Sequence, residues 1–158
     1  MSIPEGKLYN EGLREAGTVA VHHPGLYVMS FAAAGEILFG CAVAADGDKV
    51  SLPEAGNSQI AGVAGLSYQA SKLDQLAYGE GDPVAVVETG IVVVKVSGDV
   101  QLGDEVRVRI DGDDKGFFCA QAEAGKTGVL SGCVWRSNAE DGKAELYVKG
   151  PFTLTLDK

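Results

Sequence analysis

A six-residue pattern recurs along the chain and sets what it can fold into. Gly-Asp-x-Val-x-Val occurs at Gly81–Val86 (GDPVAV) and at Gly103–Val108 (GDEVRV), and a near copy, GDKVSL, runs from Gly47 to Leu52. Each copy sets a tight turn of Gly and Asp before an alternating apolar strand, so the pattern predicts turn-strand units, not helices. Between the two full copies, Ile91–Val94 is apolar at every position. A strand of that kind is covered on both faces, either by the chain's own core or by a second copy.

The rest of the chain continues in short strands. TVAV from Thr18 and LYVMSF from Leu26 flank a break at His22-His23-Pro24-Gly25. Ala32–Ala34 suits one helical turn that Gly35 stops. Ile37–Phe39 is an apolar run, and Ile60–Leu66 (IAGVAGL) reads as a tightly packed central strand, because glycines inside a strand mark a bend or a close backbone. Ser71–Ala77 is the best helical candidate: Ser71 suits the cap and Asp74 completes the capping-box spacing over two turns at most. Val106, Val108 and Ile110 alternate with Arg107 and Arg109, which predicts one wet face and weak surface pairing with Glu88 or Glu105. Phe117–Ala122, Gly128–Trp135 and Ala144–Lys149 read as three further strands. Past Pro151, Phe152, Leu154 and Leu156 alternate with threonines, in the form of an edge strand able to close its own sheet or to join a neighbour's.

These readings predict an all-β chain. The expected fold is a single compact β-barrel or sandwich of short antiparallel strands (18–158), with an extended N-terminal arm (1–17) and at most one short helix. At 158 residues the chain is the size of one domain, and its 22 glycines are about twice the average share, as many turns require. The arm reads either as a frayed terminus or as a segment that orders against a partner, for which Leu8, Tyr9 and Leu13 are isolated grips. A net charge of −9 gives no basic face for nucleic acid. Cys41, Cys119 and Cys133 are widely spaced among small or apolar neighbours, which suits buried, reduced thiols and an intracellular setting. No run approaches a membrane span, and MSIPEGKLYNEG has no apolar signal core.

Motifs for chemistry fail on their spacing. Gly125-Lys126-Thr127 lacks the phosphate-loop glycine five residues upstream, where Ala120 stands. Gly65-Leu66-Ser67-Tyr68-Gln69 begins like a serine-hydrolase elbow, but Gln69 replaces its second glycine. Adjacent His22 and His23 point to opposite sides of an extended chain, which disfavours joint metal binding. Asp111–Gly116 shares carboxylates and a glycine with a calcium loop, yet Ala122 stands where the loop needs glutamate. Catalytic, cofactor and metal residues are therefore expected to be none.

The stretch GDPVAVVETGIVVVKVSGDVQLGDEV, preceded by IAGVAGLSYQ and followed by TGVLSGCVW and a final ELYV strand, resembles the structural cement, or capsid decoration, proteins of tailed bacteriophages. The resemblance covers roughly residues 35–150. It implies a non-enzymatic protein on the outer surface of the virion, assembled in the host cytoplasm. Its implied partners are the major capsid protein, whose subunits it bridges, and other copies of itself as a dimer or trimer, without nucleic acid or membrane. Leu8, Tyr9, Leu13, Val93, Phe152 and Leu154 are the expected capsid or self-contact residues. The alternative is a small-ligand or carbohydrate-binding β-barrel of a tail or adhesin, which requires an aromatic-lined cleft at residues such as Tyr68, Tyr78, Trp135 or Tyr147. An enzyme ranks below both.

Overall fold

A computed structural model describes residues 14–21, 23–54 and 59–158. Leu8, Tyr9, Leu13 and His22 lie outside the described residues. Thirteen strands follow one another: β1 Tyr27–Ala33, β2 Ile37–Leu38, β3 Ala42–Asp46, β4 Lys49–Ser51, β5 Ile60–Ala64, β6 Ala77–Tyr78, β7 Pro83–Lys95, β8 Arg107–Arg109, β9 Phe118–Cys119, β10 Thr127–Leu130, β11 Cys133–Trp135, β12 Lys143–Lys149 and β13 Leu154–Leu156. The expected all-β barrel is what forms. Every copy of the repeat does what its residues require: Gly47, Gly81 and Gly103 have φ of 63°, 87° and 95°, and each is followed by a strand or its approach. Those glycines have open space where a Cβ would sit, so backbone conformation alone demands them.

Five strands close into a ring. β1 pairs with β7 (Met29 opposite Val86) and, in parallel, with β4; β4 pairs with β3, β3 with β5, and β5 with β7 (Val63 opposite Val87). Inside lie Val43, Val50, Ala64, Val84 and Val86, with Phe39 and Tyr78 stacked edge to face at 5.0 Å. The Tyr78 hydroxyl donates to the Gly65 carbonyl and accepts the Ala85 N–H at 3.4 Å, so the largest polar group in this core has its partners. Gly62 shows why the central strand carries glycine. A Cβ there would sit 2.2 Å from the Val87 carbonyl oxygen, so β5 and β7 approach too closely for any side chain.

β7 then leaves the ring and bends. Gly40 donates to the Ala64 carbonyl (2.7 Å) and accepts from the Lys95 N–H (3.0 Å), although Ala64 lies opposite Val86. A straight strand would hold Val86 and Lys95 about 30 Å apart. The bend falls near Gly90, whose φ of 148° suits few other residues. Beyond it β12 pairs with β7 (Leu146 opposite Val92), β11 pairs with β12 (Val134 opposite Tyr147), and a second sheet, β13-β10-β8-β9, packs across them. Their shared core holds Val92, Val94, Val108, Phe118, Trp135, Leu146, Phe152 and Leu154 and reaches Ile60, Val63 and Val87 on the outside of the ring. One strand therefore serves two cores, the barrel through Val84 and Val86 and the second through Val87, Val92 and Val94, while Ile91 and Val93 face the other side, along which Thr18–Ala20 runs.

Several expectations are corrected. Ala32 and Ala33 continue β1 and form no helical turn. Ser71–Ala77 holds a single 3-10 turn, Leu73–Gln75, started by Lys72; the Ser71 N–H and hydroxyl both donate to Asp82 (2.8 Å each), which removes Ser71 from capping. TVAV forms only an isolated bridge, Val19 to Val92. Gly128–Trp135 is divided at Ser131-Gly132, which sends β10 to one sheet and β11 to the other. Arg107 and Arg109 are half-buried, not wet: Arg107 reaches Asp157 (3.1 Å), Glu105 (3.5 Å) and the Ala120 carbonyl, and Arg109 reaches Asp114 and Glu123. Glu88 instead accepts from the Thr89 hydroxyl.

Candidate docking surfaces

The groups that carry chemistry are held in structural roles. Burial pushes the thiols of Cys41 and Cys133 up to about 12, and that of Cys119 to about 11 despite Arg109 and Arg107 nearby, so all three are free and held in the thiol form; Cys41 and Cys119 are buried as expected, whereas Cys133 is half-buried. His23 accepts the Gly25 N–H at Nδ1 and packs on Tyr147 with ring centroids 5.6 Å apart. The Ser67 hydroxyl accepts the Gln69 N–H, a local turn bond. Asp82 holds the N–H groups of Ser71 and Gly79 and the Ser71 hydroxyl, and these bonds lower its pKa. The bend through Asp111–Gly116 is built around Asp114, which takes the Arg109 guanidinium and the Ser97 hydroxyl.

The residues expected at contacts fall in different places. Phe152 and Leu154 are buried in the open core, and β13 pairs with β10 of the same chain. Val93 is buried as well; its N–H donates to the Thr18 carbonyl and its own carbonyl accepts the Gly17 N–H. Thus the last residues before the barrel, Gly17 to Ala20, lie along the second half of β7. Ala16 is buried, and the Gly17 carbonyl takes the Leu66 N–H.

Exposed apolar side chains mark two surfaces, of which the sequence offered only Tyr68 and Tyr147, and those as the lining of a ligand cleft. The first lies on the outer face of β7-β12-β11. Ala20 donates to the Ile91 carbonyl, Ile91 faces Tyr147, Tyr147 faces Val134, His23 covers Tyr147, and Tyr27 pairs with Thr89. Around this line Val21 is 70% exposed, Val134 59% and Tyr27 56%. The signal in the sequence is slight, because each of these residues is a normal strand former. The second surface is the loop over one end of the barrel, where Tyr68 is 80% exposed. Ala70 and Leu73, on either side of the turn, anchor in the barrel core, and Asp82 ties Ser71, so this tyrosine stands on a braced loop.

An open depression of about 390 Å3 lies elsewhere, lined by Asp99, Gln101, Asp104, Glu105, Arg107, Ala120 and Gln121. Its lining is polar and acidic, with no aromatic platform for a sugar ring.

A family model described as structural cement protein (E217 gp24/Pam3 gp6) matches residues 7–149. A chain from a solved structure, "The capsid of Myoviridae Phage XM1", shares this fold with a TM-score of 0.76 and 19% identity, over 86% of this chain and 90% of that one. No curated protein matches the sequence.

Proposed function

The chain belongs to the phage structural cement protein family, which gives it a structural capsid role in the virion, and from that premise we propose that it binds the outer surface of the head and bridges neighbouring major capsid protein subunits. The observation that carries the reading is the family match over 143 of 158 residues, counted inclusively from 7 to 149. The physical features support it. Two cores share one bent strand, so a load applied to one half is carried into the other through backbone, not through a hinge. An acidic body, at −9, suits docking on protein and gives no purchase on packaged nucleic acid. The capsid contact of choice is the Tyr68 loop, since a rigid, amphipathic aromatic loses little entropy on binding and such residues dominate interface energies. Repetition over the shell multiplies a modest contact. The reading is non-enzymatic, and the lack of an aromatic platform in the open depression disfavours the carbohydrate-binding alternative.

Heads lacking this protein, incubated with the purified chain and imaged by cryo-electron microscopy, test it. Density at symmetry-related outer sites, together with a higher temperature of genome release, is expected. Tyr68→Ala is expected to lower occupancy at a fixed concentration by about tenfold, the effect of a typical hot-spot truncation. Heads that remain bare at saturating protein overturn the capsid reading, whereas unchanged occupancy with the alanine variant overturns only the choice of surface.

A further inference from the structure

We propose that Asp82 and Ser71 form a latch that positions Tyr68 for docking, an inference that rests on the Tyr68 loop being the capsid contact. The loop is held at both feet. Before Tyr68, the Leu66 N–H donates to the Gly17 carbonyl (2.9 Å). Tyr68 itself lies in a turn closed by the Ala70 N–H on the Ser67 carbonyl (3.4 Å) and the Gln69 N–H on the Ser67 hydroxyl (3.2 Å). The residue after that turn is Ser71, and one carboxylate oxygen of Asp82 accepts both its N–H and its hydroxyl at 2.8 Å. At 80% exposure the tyrosine has little packing of its own, so the feet of the turn set where its ring stands.

The copies of the repeat separate this latch from the fold. In the copy at Gly103-Asp104, the aspartate accepts the N–H of the residue three before it, Gln101 (2.9 Å). In the copy at Gly81-Asp82, the same bond goes to Gly79 (2.7 Å). That bond serves the turn. The two bonds to Ser71, eleven residues back, are what Asp82 adds. Gly79 shows that room is kept for them: its φ is not positive, so its backbone does not ask for glycine, but a Cβ there would overlap the Ser71 hydroxyl. Other braces are weaker or less directional. Lys72 and Glu36 pair at 2.6 Å but both are exposed, and such a pair contributes less than hydrogen bonds to a charged acceptor. Ala70 and Leu73 are held by apolar contact, which sets depth and not orientation. A loop released from Asp82 samples more orientations, and only the fraction that presents the ring can dock.

Heads lacking this protein, fixed on a biosensor surface, separate the steps of docking. Ser71→Ala and Gly79→Ala leave Asp82 and its turn in place, and each is expected to lower the association rate about threefold; Asp82→Ala is expected to lower it about tenfold. Dissociation should change by less than about twofold in all three, because the bound loop is held by its contacts. Tyr68→Ala, by contrast, is expected to act on dissociation. Ser71→Thr, which keeps the hydroxyl, should associate at the wild-type rate, and Asp104→Ala, which breaks only the matching turn bond, should leave both rates alone. Without heads, amide protection at Gln69, Ala70 and Ser71 should fall in the three latch variants, while Ser71→Ala melts with the wild type. Latch variants that associate as fast as the wild type, or that only dissociate faster, overturn the inference and leave the capsid reading standing. Heads that take up no wild-type chain overturn that reading and this inference with it.

Discussion

The barrel and the open half of the molecule solve the edge problem in opposite ways. In the barrel each of five strands has a neighbour on both sides, and the core around Phe39 and Tyr78 is sealed by the braced loop of Ser71 and Asp82. In the open half, β11, β13 and β9 end their sheets, and Val134 and Leu156 stand exposed on the first two. Apart from the two-residue pair of β2 and β6, the closed half has no strand edge to offer, and its exposed aromatic stands on a loop, at Tyr68. The open half keeps edges and an apolar face, the features by which one chain takes up another. Closure and open edges thereby fall to different parts of one chain, joined by β7.

Substitutions test that division, beginning where it is expected to fail. Gly62→Val, at the seam of both cores, drives side-chain atoms into the Val87 carbonyl and is expected to cost more than about 4 kcal/mol, leaving no cooperative thermal transition. A folded variant that melts normally would refute the close approach of β5 and β7. Leu146→Ala opens a void in the fully buried open core and is expected to cost about 3 kcal/mol. Amide exchange should rise in β10, β11 and β12 before it rises in the barrel; equal acceleration everywhere would mean the two cores unfold as one. Tyr78→Phe leaves the Gly65 carbonyl without its donor and is expected to cost about 1–3 kcal/mol by chemical denaturation.

The smallest expected effect is one of pH. The folded pKa of Asp82 lies below its ordinary value of 3.8 because it accepts hydrogen bonds from Ser71 and Gly79. A depressed folded pKa means the carboxylate contributes stability above the unfolded value, and that contribution disappears as pH falls through the folded one. Protection of the amides in the loop from Ser67 to Gly79, taken relative to the intrinsic exchange rate at each pH, should therefore fall below about pH 4 in the wild type. Asp82→Asn should show low protection at every pH, and a variant whose loop protection still rises with pH through this window would detach Asp82 from the effect.

Much of this architecture was legible in residue order because turns and strands are local. Gly47, Gly81 and Gly103 announce positive φ by having no side chain, and alternation in Val106–Ile110 announces a strand with two unlike faces. What failed was what depends on distant partners. Ser71 reads as a helix cap until Asp82, eleven residues on, claims both its donors. Arg107 reads as solvated until Asp157, fifty residues on, reaches it. Phe152 and Leu154 read as a sticky edge, and only the packing of β13 on β10 shows them covered by their own chain.

By itself, then, the sequence determined the class of fold, the places of the turns and the double-sided character of Ile91–Val94, since each follows from the conformational limits and spacing of neighbouring residues. The tertiary structure alone decided that β7 bends to serve two cores, and that the outward apolar side chains are Val21, Tyr27, Val134 and Tyr68. Exposure is a property of what packs against a residue, and a valine on a strand looks the same in sequence whether a neighbour covers it or leaves it bare.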